Sequence, residues 1–329
     1  VTRRLAVAVE RFPIAGAFTI ARGSRTEAVV VVCTVTEGAD GTRGWGECVP
    51  YARYGESVES VCALLEAQAQ AIADGASRLD LLALMPAGAA RNALDCALFD
   101  LEAKQLGRPA WEIAGLTAPQ VATTAYTLSL GTPESMEAAA RTASARPLLK
   151  VKLGGEGDPE RIAAVRRGAP DSRLIVDANE AWRPDTIEAN LAACVAAGVG
   201  LIEQPLPAGE DALLAEIARP IPICADESLH DRAGLDALSR RYDAINIKLD
   251  KAGGLTEAVM LAHEARARGF SLMIGCMVGT SLAMAPAMLL AHHADYVDLD
   301  GPLLLARDRE PGLLFEGSLV HPPAADLWG

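Results

Sequence analysis

The chain has 329 residues, half of them hydrophobic, and a formal net charge of −13. That length holds one large α/β barrel with a smaller partner domain, and the acidic balance argues against electrostatic attraction to nucleic acid or an anionic membrane. Seven cysteines are scattered without CxxC or zinc-type spacing, which reads as reduced, buried thiols in a cytoplasmic protein. The opening run VTRRLAVAVERFPIAGAF is too short and too interrupted to read as a signal peptide or a membrane span.

Up to about residue 115, extended candidates come first (LAVAVERF, AVVVVCTVTEG, RGWGECV). Helical stretches follow, SVESVCALLEAQAQAIADG and PAGAARNALDCALFDLEAKQLG. Strands followed by helices predict a small α+β domain. From about residue 120, β-rich runs recur: VATTAYTLSLG, LLKVKLGG, RLIVDANE, GLIEQPL, IPICADES, DAINIKLD, FSLMIGCMVG and DYVDLDG. Helical segments such as DPERIAAVRRGAP, TIEANLAACVAAG and LTEAVMLAHEARARG lie between them. The polar residues Lys152, Asp177, Glu203, Asp226, Lys248 and Asp298 in six runs are spaced 25, 26, 23, 22 and 50 residues apart, the last interval skipping one strand. Eight strands alternating with helices predict a closed parallel barrel, with a doubly wound open sheet as the competing arrangement. Only about 29 residues follow the eighth strand, without an amphipathic helix, so the barrel is expected to be (β/α)7β. Residues 1–115 are read as an α+β capping domain, 116–308 as the barrel and 309–329 as a segment returning toward the cap.

The six polar residues interrupt buried runs near the C-terminal strand ends, where barrels of this class assemble active sites. Buried charges are costly unless paired or metal-bound. Asp177, Glu203 and Asp226 lie on consecutive strands, and three clustered carboxylates call for a hard cation, foremost Mg²⁺, unless each is separately salt-bridged. Lys150 and Lys152 share one face of the strand before these acids, and Lys248 lies on the strand after them. A lysine becomes a base where desolvation and neighbouring cations lower its proton affinity. Two bases flanking one carbon predict removal of a proton α to a carboxylate from one face and its return on the other. A Schiff-base lysine is the alternative, and it leaves the three acids without a role. Asn179 is expected on the same face as Asp177, orienting a water.

KVK, VDAN, EQP, ADES and NIKLDKAGG, in this order and spacing, resemble the enolase superfamily, muconate-lactonizing subgroup, over essentially the whole chain. Within it, the dipeptide epimerases, particularly those of the L-Ala-D/L-Glu type, are most similar. The resemblance implies a Mg²⁺-dependent barrel under a capping domain, with Asp177, Glu203 and Asp226 as metal ligands and Lys152 and Lys248 as bases. It also implies a place in cytoplasmic murein-peptide recycling. In DLDGP, Asp298 and Asp300 share a face and suit the free ammonium of a dipeptide. TIARGSRTEA is expected to be a loop closing over the barrel mouth. There Arg22 or Arg25 meets a side-chain carboxylate, and the resemblance favours Arg22. Tyr51 and Tyr54, in ECVPYARYGES, either line a second capping loop or simply pack. GCMVGTS departs from subgroup members that carry an acid there, since Gly279 fills that slot. None of the five histidines is assigned to catalysis. The expected partner is a small dipeptide, with neither nucleic acid nor membrane, and a homo-oligomer is compatible with the chain. Other proton-abstracting enzymes of the superfamily remain alternatives: N-acylamino-acid racemase, o-succinylbenzoate synthase and muconate cycloisomerase.

Overall fold

The computed structural model describes residues 2–38 and 41–329. The chain opens with a three-stranded antiparallel sheet, Arg4–Ile20, Gly23–Glu37 and Thr42–Cys48. Alternation along the middle strand puts Val31, Cys33 and Val35 on one face, where they pack with Leu94, Ala97 and Leu101 of the helix Ala89–Leu106. Gly44 and Gly46 permit that approach, because a Cβ at either would stand 2.1 and 2.3 Å from the carbonyl oxygens of Ala97 and Ala93. The single helical stretch expected from Ser57 to Gly75 is two pieces, Val58–Glu66 and Ala69–Ala73, the first opened by a Ser57–Ser60 capping box.

TIARGSRTEA is not an irregular loop. It is the tip of a long β-hairpin, with Ile20 paired to Gly23, Thr19 to Ser24 and Phe18 to Arg25. A register shift between Pro13 and Phe18 breaks the ladder below the tip, as a bulge does. The tip is tied to the barrel mouth, where Leu130 N–H donates to Thr19 O at 2.9 Å.

The barrel has eight parallel strands in chain order: Tyr126–Leu128, Leu148–Lys152, Arg173–Asp177, Val199–Glu203, Ile223–Ala225, Ala244–Lys248, Ser271–Gly275 and Tyr296–Asp298. Between the eighth and the first, Ala125 N–H donates to Val297 O at 2.8 Å. Helices follow the first three strands at Pro133–Thr142, Asp158–Gly168 and Ile187–Ala196, and the sixth and seventh at Leu255–Ala267 and Ser281–Ala291. The fourth crossover holds only a 3₁₀ turn, Ala212–Ala215, and the fifth a 3₁₀ turn with one α turn, Leu235–Leu238. One turn, Gly301–Leu304, follows the eighth strand, so the architecture is (β/α)7β under an N-terminal α+β cap. The last residues reach the cap: Trp328 Nε1 donates to Cys96 O (3.1 Å) and Gly329 N–H to Asp100 Oδ1 (2.9 Å). All seven cysteines are free thiols, and no helix among the described residues is long and apolar enough to cross a membrane.

Candidate active site

Inside the barrel the strands are filled in layers. Leu148, Ile175, Leu201, Cys224, Ala244 and Met273 form, with Ala125, a buried apolar plug at the N-terminal end. Two residues further along, the same faces carry Lys150, Asp177, Glu203, Asp226, Asn246 and Gly275, and two further again come Lys152, Asn179 and Lys248. Lys152, Asp177, Glu203, Lys248 and Asp298 are the last residues of their strands, and Asp226 follows Ala225 directly. All six are buried.

The charges are matched in pairs. Lys150 Nζ lies 2.6 Å from Glu203, 2.7 Å from Asp298 and 3.4 Å from Asp177. Lys152 meets Asp177 at 2.6 Å, and Lys248 meets Asp226 at 2.7 Å with Glu203 at 3.8 Å. Lys251, to which the residue pattern assigned no role, lies 2.6 Å from Asp226 Oδ1 and donates to Asp226 O (2.5 Å) and Asn246 O (3.0 Å). Burial alone would raise the Asp177 carboxyl, but Lys152 and Lys150 hold it at about 2. Burial likewise opposes ionisation of Asp226, and Lys248 and Lys251 overcome it and hold that carboxyl well below its ordinary value. Glu203 is raised, by burial and by Asp177 beside it.

The same pairing acts on Lys150 and Lys248. Burial does disfavour the charge on Lys150 and Lys248, but the carboxylates around them prevail and hold both well above the ordinary lysine value. Lys150 is thus an ammonium shared among three acids, and its nearest charged neighbours are those acids.

Asp177 and Glu203 are directly paired in strand register, and Glu203 shares Lys150 with Asp177 and Lys248 with Asp226. Among the described residues no three acidic, histidine or cysteine side chains converge as a metal cage, because these carboxylates turn toward lysines instead. The donor set nevertheless fits a hard cation. It is all oxygen, on adjacent strands: Glu203 Oε2 and Asp226 Oδ1 already face positive charge, each 2.6 Å from a lysine ammonium, and the buried Asn179 Oδ1 has no hydrogen-bond partner among the described residues. Asn246 Nδ2 holds the other Glu203 oxygen at 2.8 Å.

Above these groups the cap and barrel enclose a cavity of about 180 Å³, lined by Lys152, Lys248, Asp226 and Asn179 below and by Phe18, Arg22, Arg25, Tyr51 and Tyr54 above. Lys152 and Lys248 come from strands four apart in the eight-stranded ring and so face it from opposite sides. Tyr51 and Tyr54 both line it, and Tyr54 also stands edge-on to His230, ring centroids 4.6 Å apart. The two candidate arginines differ. Arg22 is ion-paired to Glu227 (2.7 Å) and Glu180 (3.1 Å), whereas Arg25 lies over the Tyr51 ring (5.5 Å) with no ion-pair partner among the described residues. Burial and the adjacent Asp226 push Glu227 up to about 7.

Asp298 and Asp300 border a smaller recess with Phe18, Lys150 and Lys152. Asp300 Oδ2 accepts Thr127 N–H at 2.6 Å, and Asp298 Oδ1 is buried without a partner. Burial, then Asp298, raises Asp300 to about 7. Gly279 lies against the cap, where a Cβ would stand 3.1 Å from Glu47 Oε1. None of the five histidines lines the cavity among the described residues.

Two family models match the chain: the mandelate racemase/muconate lactonizing enzyme N-terminal domain over residues 2–115 and the enolase C-terminal domain-like family over 134–324. The chain is 48 % identical to the L-Ala-D/L-Glu epimerase of Escherichia coli over 97 % of this chain and 99 % of that one. It is also 48 % identical to an N-acetyl-D-glutamate racemase of a Pseudoalteromonas species, over 87 % and 91 %. Among solved structures, an enolase family member from Agrobacterium tumefaciens with homology to dipeptide epimerases holds sodium and L-Ala-L-Glu with an ordered loop. It is 55 % identical, with a TM-score of 0.97 over 99 % of this chain and 100 % of that one. A dipeptide epimerase from Methylococcus capsulatus, complexed with Mg and L-Arg-D-Lys, is 32 % identical, with a TM-score of 0.89 over 98 % of both chains.

Proposed function

Because the chain belongs to the mandelate racemase/muconate lactonizing enzyme family, we infer that it epimerises dipeptides of the L-Ala-D/L-Glu type at the α-carbon of the C-terminal residue. The observation that carries this reading is the pair of buried lysines, Lys152 and Lys248, facing one cavity from opposite sides. A dipeptide with its C-terminal α-carbon between them presents one face of that carbon to each lysine. The neutral lysine takes the α-proton as the C–H bond breaks and its electron pair passes toward the substrate carboxylate. The opposite, protonated lysine then gives its proton to the other face and inverts the centre. Asp177 and Asp226, each paired to one of these lysines, position the two groups.

Asp177, Glu203 and Asp226 would hold Mg²⁺, which when bound supplies positive charge where negative charge builds on the substrate carboxylate. Lys150, held between Glu203 and Asp298, balances the carboxylates beneath and faces the smaller recess rather than the main cavity. Asp298 and Asp300 receive the dipeptide's ammonium, supported by their shared recess and the unpartnered Asp298 Oδ1. Arg25 receives the glutamyl carboxylate: it lines the cavity and has no carboxylate to give up, whereas Arg22 has two. Asn179 and Tyr51 complete the lining, and the free thiols are in keeping with the cytoplasm.

The relationship to an N-acetyl-D-glutamate racemase favours a second reading, racemisation of N-acylated glutamate, which needs the lysines and the arginine but not the acid pair. Mixed L,L-dipeptides incubated with the protein and Mg²⁺ in D2O decide the matter. Ala-Glu should gain one deuterium at the C-terminal α-carbon, and exchange confined to N-acylated glutamate would overturn the dipeptide reading.

A further inference from the structure

Arg22 is one of the two residues in the turn at the hairpin tip, between Ile20 and Gly23. A tip arginine is ordinarily a solvated side chain. This one is only 27 % exposed and reaches three other segments. Nη1 donates to Asn179 O (2.9 Å) and Glu180 Oε2 (3.1 Å), and Nη2 to Glu227 Oε1 (2.7 Å) and Tyr51 Oη (3.1 Å).

Glu180 is held from the other cap loop as well, by two bonds of 2.7 Å from Arg53, and by the Ala208 N–H at 2.8 Å. Arginines from both cap loops therefore converge on one barrel carboxylate. Asn179 and Glu180 have φ of 45° and 69°, a backbone that side-chain-bearing residues avoid unless their surroundings impose it. Arg22 grips both residues of that pair, one through its carbonyl and one through its carboxylate. The same cap loops supply the upper lining of the cavity. Joined to the barrel in this way they roof the cavity, held there by charge-assisted hydrogen bonds within the protein.

We propose that Arg22 is a positioning residue that, together with Arg53, latches both cap loops to Glu180 and Glu227, and that release of this latch admits substrate and frees product. The kinetic part of the proposal rests on the dipeptide-epimerase reading; the latch itself does not. It also divides the labour of the hairpin: Arg22 closes it, and Arg25, three residues on, is left to face the cavity.

Glu180 and Arg53 do not line the cavity, so E180Q and R53Q loosen the latch without altering the surface that meets substrate. Amide hydrogen exchange of residues 18–27 and 50–55, read without substrate, should speed up by about tenfold in E180Q, the scale expected when a charge-assisted hydrogen bond is weakened to a neutral one. R53Q added to E180Q should speed the 50–55 segment little further, since both changes remove the same ion pair. Exchange in the barrel strand Arg173–Asp177 should stay as in wild type. For L-Ala-L-Glu, E180Q should raise KM while kcat holds or rises. Unchanged loop exchange in E180Q, or an equal speeding of the barrel strand, would overturn the latch. An inactive wild-type protein would instead overturn the epimerase reading and leave the exchange test standing.

Discussion

Replacing Arg25 with glutamine separates the two arginines of the hairpin, which the residue pattern alone left as alternatives. Arg25 lines the cavity and lies 5.5 Å over the Tyr51 ring, with no acid to release before it binds one. Its bond to a substrate carboxylate is therefore not offset by a broken internal ion pair, and a charge-assisted hydrogen bond contributes about 1.5–3 kcal/mol. At about 1.4 kcal/mol per factor of ten, R25Q should lower kcat/KM for L-Ala-L-Glu by roughly tenfold to a hundredfold. L-Ala-L-Ala has no side-chain carboxylate and should lose less than about threefold, the effect of a perturbed Tyr51 ring stack. R22Q breaks bonds made within the protein, so it should slow both substrates by a similar factor. Polarimetry or chiral chromatography with the two dipeptides reads these ratios directly. If R25Q weakened both substrates equally while R22Q cost only the glutamyl one, the assignment would be reversed.

The remaining predictions probe the acid pair, the metal and the cap. D300N should cost L-Ala-L-Glu about tenfold or more in kcat/KM, by loss of a charged partner for its ammonium. It should leave exchange of N-acetylglutamate near wild type, and an equal loss on both would remove the acid pair from amine binding. Mg²⁺ should raise the thermal midpoint of the wild-type protein by binding the folded state only, and D226N should abolish that rise. A wild-type-sized rise in D226N would exclude Asp226 as a ligand. Asp95, on the cap helix, accepts from Thr256 N–H (3.0 Å) and Thr256 Oγ1 (2.5 Å) across the cap–barrel junction, and burial lifts it to about 6. An acid raised in the fold keeps its proton after the unfolded chain has lost its own, so stability falls as pH rises from about 4 to about 6. The shift is worth about 3 kcal/mol at complete ionisation. Urea unfolding at pH 4 and pH 7 should show a smaller fall in D95N than in wild type, and identical falls would contradict the assignment.

The barrel and its polar layer were legible because a parallel strand buried on both faces has no ordinary use for charge. Leu148 before Lys150, Ile175 before Asp177 and Leu201 before Glu203 are plug and site on one face, and a period of two exposes them. What escaped depends on distance across the fold. The partner of Lys150 on the eighth strand, Asp298, lies 148 residues away, and proximity in sequence drew attention to Lys152 instead. The expected effect of Lys150 on its neighbour followed from cations close in sequence, whereas the carboxylates that raise Lys150 and Lys248 arrive from other strands. Lys251 stands in the quoted NIKLDKAGG motif, but only the single turn Leu249–Ala252 swings it back onto Asp226. The hairpin tip read as a loop because Gly23 and the charged residues around it mask the ladder, which extends across it once Phe18 pairs with Arg25. The fourth crossover gave no warning of lacking an α-helix, since a barrel period needs only the return of the chain.

The two-base claim is tested most directly by α-proton exchange in D2O from each stereoisomer separately, using K152A and K248A. With L-Ala-L-Glu and L-Ala-D-Glu as substrates, each variant should fail to epimerise, yet one should still exchange the α-proton of the L isomer and the other that of the D isomer. Loss of exchange from both isomers in one variant, with both kept in the other, would show a single base and contradict the account.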